Sequence, residues 1–157
     1  MKMIASLFDT NRMQLAMHAT KKSDALRELV DVLVQTGEVE DGGRLLAEIE
    51  EREEQSSTAI GFGIAVPHKV SSTVRKTAIV FGRSANGIAF GAPDAKPVHL
   101  FFLTVGPQSR TRGLLQVLSR LSRLLHAGVF RDALMAAEAP EAVVEIISRE
   151  EAAEAPP

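Results

Sequence analysis

The sequence contains no cysteine, no tryptophan and no tyrosine. Without cysteine there are no disulfides, no thiolate nucleophiles and no thiolate-bound zinc or iron–sulfur sites, which suits a reducing compartment. Aromatics make up 4% of the chain and all are phenylalanine, so a Tyr/Trp platform for stacking single-stranded nucleic acid is missing. Neither sign of charge dominates: 18 Lys and Arg nearly cancel 20 Asp and Glu, for a net charge of −2. That balance gives no support to a broad nucleic-acid surface. No apolar run approaches the roughly 18 residues of a membrane span. The first apolar stretch, Met1 to Phe8, is too short for a signal-peptide core and is broken at Asp9 and Arg12. No two histidines have a zinc-like spacing, and no His-Glu-x-x-His element occurs. The expectation is a soluble cytoplasmic protein that is not membrane-embedded and takes no nucleic acid as partner.

What is present is ordinary globular material. The chain has 157 residues, of which 45% are hydrophobic and 24% charged. A chain of that length forms one domain and buries about 70% of the surface it exposes when unfolded. Met13, Leu15 and Met17 alternate with Gln14, Ala16 and His18, a strand pattern. Ser23 is placed to cap a helix with an apolar stripe of Leu26, Leu29, Val30 and Leu33, ended by Gly37. A second helix is predicted from Gly43 to Glu54. Leu45, Leu46 and Ile49 form its apolar side, and Glu48, Glu50, Glu51, Glu53 and Glu54 are expected to be mostly solvated. Strands are predicted at Ile64–Val66, Thr77–Phe81 and Val98–Val105, the last apolar enough to be covered on both faces.

Three helices follow. Leu114, Val117, Leu118, Leu121, Leu124 and Leu125 form one 3.6-period stripe. Phe130, Leu134 and Met135 mark a short helix, and Pro140 opens a final one with Val143, Ile146 and Ile147. Residues 1–150 are expected to form the domain and residues 151–157 a flexible tail. Strands mixed with helices around one central sheet predict an α/β fold: a single domain with a central mixed sheet flanked by helices.

The informative segment runs Ser57-Thr58-Ala59-Ile60-Gly61-Phe62-Gly63-Ile64-Ala65-Val66-Pro67-His68. Its glycines let the backbone approach a ligand without a Cβ in the way. Thr58 and nearby amides can donate hydrogen bonds, and Pro67 restrains the chain just before the histidine. A neutral imidazole can attack a phosphoryl group. Phosphoryl transfer asks for little more than an in-line nucleophile and donors for three charged oxygens, which a glycine-rich loop supplies. The loop is not a Walker A element, because no Gly-Lys-Ser/Thr follows. By spacing alone, His68 has two readings, a structural histidine after a short strand or a nucleophile.

This segment resembles the active-site signature of the fructose/mannitol-type enzyme IIA domains of the phosphoenolpyruvate-dependent phosphotransferase system. That signature is close to Ser-Thr-x-Ile-Gly-x-Gly-x-Ala-x-Pro-His. Ala92-Pro93-Asp94-Ala95-Lys96-Pro97-Val98 also resembles a family element, as do Leu118–Leu125 and Phe130–Leu134 in the late helical region. The resemblance covers roughly residues 4–150, and in length it is most similar to the nitrogen-regulatory branch, which implies a regulatory role for the carrier. It implies that His68 accepts a phosphoryl group from an HPr-type histidine phosphocarrier and that no organic cofactor or metal takes part. It also implies that Arg52, sixteen positions earlier, orients the loop or stabilises phosphoryl charge. Otherwise Arg52 is the cation of a surface ion pair with Glu48 or Glu51. Ser57, Thr58, Gly61 and Gly63 would bind the phosphate.

Three positions depart from the family pattern. Gly113 stands where a second histidine is frequent at the start of the late helix, Phe62 stands where Asn or Glu is common, and Lys69 where Gly is common. Lys69 adds positive charge to the site or is simply solvated. Arg110, Arg112, Arg120 and Arg123 make a basic run on the late helix. It is either a solvated face or, at Arg110 and Arg112, a docking patch or phosphate contact near the helix N-terminus. His18 and His99 are expected to be structural, and His126 to sit near a helix C-terminus. Two further functional readings stay open: a non-catalytic regulatory module that binds target proteins, and a sugar-specific component serving a separate membrane permease.

Overall fold

Val98–Gly106 forms the strand around which the rest is arranged. All its residues except His99 are buried, as its near-continuous apolar sequence requires. The computed structural model describes residues 4–154. In chain order the strands are β1 (Phe8–Gln14), β2 (Ala59–Gly61), β3 (Ile64–Ala65), β4 (His68–Val70), β5 (Ala78–Ile88) and β6 (Val98–Gly106). The helices are α1 (Lys22–Gln35), α2 (Gly42–Gln55), α3 (Thr111–Leu125), α4 (Gly128–Ala136) and α5 (Pro140–Glu154). The sheet order is β1-β5-β6-β3-β2, with β4 also pairing to β6. β1 runs parallel to β5, and β3 and β4 run parallel to β6, whereas β5–β6 and β2–β3 are antiparallel. The expected mixed sheet flanked by helices is therefore present.

Side chains alternate across β6 and divide the core in two. Phe101, Leu103 and Val105 pack with Leu29, Leu33, Leu45 and Ile49 of α1 and α2. Leu100 and Phe102 pack with Val117, Leu121, Val143 and Ile147 of α3 and α5 on the opposite face. Arg83 fastens α4 to the sheet. Its Nε donates to the Leu15 carbonyl at 3.1 Å, and its Nη1 donates to the carbonyls of Leu134 at 3.0 Å and Ala137 at 2.6 Å. Those carbonyls end a helix and would otherwise lack partners.

Several sequence expectations need correction. β1 begins and ends earlier than the alternation of Met13, Leu15 and Met17 suggested. α1 starts at Lys22, so Ser23 lies inside its first turn and no side chain caps the helix. α2 is one residue longer at each end than predicted, and Asp41 caps it by accepting from the Arg44 amide at 3.0 Å. β5 runs on to Ile88, well past Phe81. The tail predicted from Glu151 is helical through Glu154. Glu151 is only 3% exposed and accepts from the Ile4 amide at 2.7 Å and the Ala5 amide at 3.0 Å, while Arg120 stands 3.5 Å away. A carboxylate that polar in sequence is buried because three donors converge on it. Residues 155–157 lie outside the described residues. Arg120 is thereby removed from the exposed basic run.

Candidate functional site

Phe62 and Gly63 turn the chain between β2 and β3. Both have positive φ, as does Gly61, with values of 59°, 76° and 93° for Phe62, Gly63 and Gly61. A two-residue hairpin with left-handed backbone at both central positions is the tight connection that matches strand twist. Glycine adopts it freely, whereas phenylalanine does so at a cost of about 1 kcal/mol. Two contacts hold Phe62 there. Its amide donates to Asp94 Oδ2 at 3.1 Å, and the Arg131 guanidinium lies 4.5 Å from its ring centroid. The ring itself is 60% exposed. The amides of Lys96 and then of Phe62 hold the Asp94 carboxyl below the usual carboxylate range.

The strand after the turn carries His68. Sequence alone made Pro67-His68 a stop, but His68 opens a new short strand, β4, paired in parallel register with Thr104 to Val70 opposite Gly106. In parallel pairs, register partners share a face of the sheet. Ile64 and Leu100, for instance, lie together in the α3 side of the core. His68 accordingly shares the face of Thr104 and Phe102, which α3 covers, and Lys69 points the other way. His68 is half-buried. Its Nδ1 lies 2.9 Å from the Val66 carbonyl. A carbonyl only accepts, so Nδ1 carries the proton and Nε2 keeps its lone pair free for attack.

Arg52 lies in the last turn of α2, one turn beyond Glu48, whose carboxylate accepts from Ser71 Oγ at 2.6 Å just after β4. Arg52 is therefore on the helix face that meets β4. Its Nη1 donates to the Ser56 carbonyl at 3.1 Å at the end of the helix, where a cation is favoured, and the predicted surface pair with Glu48 or Glu51 is not formed. Arg52 thus holds the entry to the signature loop.

The hydroxyls of Ser57 and Thr58 are spent within the protein. Ser57 Oγ donates to the Phe90 carbonyl at 2.5 Å, and Thr58 Oγ1 donates to Glu53. A hydroxyl has one proton to give, so neither hydroxyl donates to a phosphoryl oxygen in this arrangement. Glu53, expected to be solvated, is 6% exposed and is the residue that sequence reasoning missed. The only signal for it was its position five residues before Thr58.

α3 begins just after β6. Gly113 in its first turn lines an open groove of about 600 Å³ together with Arg110, Arg75 and Lys76. A Cβ on Gly113 would meet nothing within 4 Å. Arg112 instead lines a separate shallow depression along α3 with Leu115 and Arg123. The predicted pair is thus split, and only Arg110 faces the groove. His99 Nδ1 donates to the Ser84 carbonyl at 2.9 Å, which satisfies it structurally as expected. His126 caps the C-terminus of α3, and His18 is exposed beyond the end of β1. Among the described residues no three His, Asp or Glu side chains converge as metal ligands do, and no helix is long and apolar enough to cross a membrane.

The class of protein follows from the family that this fold and loop match, a phosphotransferase-system component. The chain belongs to the phosphoenolpyruvate-dependent sugar phosphotransferase system EIIA 2 family, whose model matches residues 6–150. The fructose-specific EIIABC component of Bacillus subtilis is 36% identical over 146 residues, which is 93% of this chain and 23% of that much longer protein. The fructose-specific EIIA component of Haloferax volcanii is 39% identical over 128 residues, covering 81% of this chain and 82% of the relative. Among solved structures, nitrogen regulatory protein IIA-Ntr from Neisseria meningitidis superposes with a TM-score of 0.86 at 27% identity, covering 93% of this chain and 99% of that one.

Proposed function

We propose that this protein is a phosphoryl carrier in which His68 Nε2 accepts a phosphoryl group from an HPr-type histidine phosphocarrier. The observation that carries the reading is the Nδ1–Val66 hydrogen bond, which leaves Nε2 as the nucleophilic nitrogen. The lone pair of Nε2 attacks phosphorus as the bond from phosphorus to the donor's ring nitrogen breaks. A protonated donor ring leaves as neutral imidazole, and His68 keeps its Nδ1 proton on the Val66 carbonyl. Arg52 steadies the loop at Ser56 from the α2 side of the sheet. Arg110, Arg75 and Lys76 are cations lining the open space at Gly113, and Lys69, on the other face of β4, is a docking contact for the partner rather than a phosphate ligand. The Ser57 and Thr58 hydroxyls are spent within the protein, and the Gly61–Gly63 turn meets β6 at His99, about 16 Å along the strand from Thr104 beside His68, so neither supplies the phosphate donors.

The acceptor is a sugar-transport partner of a separate permease. The specific support is identity together with span: the two fructose-specific relatives match at 36% over 146 residues and 39% over 128, against 30% over 135 and 37% over 98 for two nitrogen regulatory proteins. The test is incubation with phosphoenolpyruvate, the first enzyme of the system and an HPr-type carrier, followed by mapping of the acid-labile phosphate under alkaline conditions. Phosphate on His68 is the expected result. Its absence under conditions that label a known EIIA domain would overturn the carrier reading in favour of a non-catalytic binding module.

Gly113 yields a separate expectation. Because the space above it is open, Gly113→His should fold, and should gain up to about 0.5–1 kcal/mol by removing glycine from a helix. A donor at this position would prolong the phosphorylated state, through a charge-assisted hydrogen bond of roughly 1.5–3 kcal/mol. Phosphate loss at fixed pH, compared between the two proteins, checks this. Equal lifetimes would show that Gly113 does not face the phosphoryl group.

A further inference from the structure

The start of α1, the end of α2 and the signature loop meet at the Glu53 carboxylate. Its Oε2 accepts from the Thr58 amide at 3.1 Å and from Lys22 Nζ at 2.9 Å, and its Oε1 accepts from the Thr58 hydroxyl. Lys22 in turn sits 4.3 Å from the centroid of the Phe90 ring, and the Phe90 carbonyl takes the Ser57 hydroxyl. The first two residues of the signature loop are thus clamped from both sides. The path continues inward. The Thr58 carbonyl accepts from the Val66 amide at 3.0 Å, and the Val66 carbonyl accepts from His68 Nδ1 at 2.9 Å.

We propose that Glu53, backed by Lys22, is a positioning residue for the phosphoryl-accepting histidine: through Thr58 and Val66 it fixes the carbonyl that holds His68 in its Nδ1–H tautomer. The inference rests on His68 being the acceptor. Its physical basis is that a buried carboxylate is tolerated only when its lone pairs are met. Meeting them here pins Thr58 to the end of α2 and the start of α1. Thr58 then presents its carbonyl to Val66, and Val66 can only hold the imidazole where its own amide is held. The contacts lie in successive peptide units, so the effect is one of placement and not of charge relayed along the chain. Nothing in the chain places Glu53 itself against the phosphoryl group.

The experiment uses the full chain and three substitutions, Glu53→Gln, Thr58→Val and Lys22→Met, with Thr58→Ser as the conservative control. Long-range nitrogen–proton NMR of the histidine rings reads the His68 tautomer without any phosphoryl donor. Wild type and Thr58→Ser should show the Nδ1–H form alone. Glu53→Gln and Thr58→Val should populate the Nε2–H form, and Lys22→Met should do so less. The maximal phosphorylation rate should fall about tenfold in Glu53→Gln, a loss in the range that small misplacements of a reacting group produce. The KM for the carrier should stay within about twofold, because docking is untouched. Lys22 is half-exposed and its removal leaves the fold intact, so this variant decides the matter if Glu53→Gln does not fold. A wild-type tautomer and rate in every folded variant would overturn the proposal, as would a changed tautomer with an unchanged rate. If instead the tautomer moves but wild type carries no phosphate on His68, the carrier reading fails and the proposal with it, while the hydrogen-bonded brace itself stands.

Discussion

Replacing His68 with glutamine is expected to abolish incorporation of acid-labile phosphate while leaving the fold intact. An amide side chain can still donate to the Val66 carbonyl, so the one hydrogen bond His68 makes has a substitute. The residue is half-buried on a short strand, and no apolar contact of the core depends on its ring. The melting temperature should therefore move by no more than about 2–4 °C, the shift that roughly 1 kcal/mol produces in a domain of this size. The chemical loss is of another order. An amide nitrogen has its lone pair delocalised into the carbonyl and is no nucleophile, so the step that forms the new nitrogen–phosphorus bond has no counterpart. The other histidines do not substitute. His99 also has its Nδ1 on a carbonyl, that of Ser84, but its Nε2 edge packs against Gly87, and His126 and His18 lie at the end of α3 and beyond β1. Rapid-quench labelling of both proteins, with peptide mapping, checks this. Labelling of His68→Gln at the wild-type rate would show that another residue is the acceptor.

The second large effect concerns stability. Glu151→Ala should lower the melting temperature by roughly 6–12 °C. Its carboxylate is buried, receives the amides of Ile4 and Ala5, and is paired with Arg120 of α3. Removing one partner of a buried, hydrogen-bonded charge costs about 3 kcal/mol or more, because the groups left behind are unsatisfied. At about 2–4 °C per kcal/mol the stated range follows. Glu151→Gln should lose less, since the amide oxygen still accepts from the backbone. Phosphorylation of His68 at a temperature where both variants are folded should match wild type, as Glu151 joins α5 to the chain's first turn and to the middle of α3. Thermal unfolding by circular dichroism measures the shift. A change of less than about 2 °C in Glu151→Ala would mean that the N-terminal turn contributes nothing to the native state.

Both residues mark where the sequence was and was not readable. His68 stood out as a candidate because two glycines, a proline and the ring fall within eight positions, and the family resemblance gave it the acceptor role. The apolar stripes of α1, α3 and α5 were legible because a 3.6-residue period follows from helix geometry alone. Strand β6 was legible from its unbroken apolar run. β4 was hidden, since three residues carry no usable period and only the edge of β6 makes them a strand. Glu53 and Glu151 were misplaced for one reason. In sequence a glutamate on a helix is taken as solvated, and its burial depends on donors brought from elsewhere: Lys22 and Thr58 for the first, and the amides of Ile4 and Ala5 for the second.

The same division governs the site. By itself the sequence determined the fold class and the loop that carries His68, because periodicity and left-handed backbone at glycine are properties of short segments, while the acceptor role of His68 came from the family resemblance. Only the tertiary structure decided which nitrogen of His68 is free, that the Ser57 and Thr58 hydroxyls are turned inward, and that Arg52 steadies the loop at Ser56 without a carboxylate partner. Each of these is a choice between protein partners that sequence distance does not encode. A buried polar group must be met by some donor or acceptor, and which one meets it is settled by the packing of α1, α2 and the sheet.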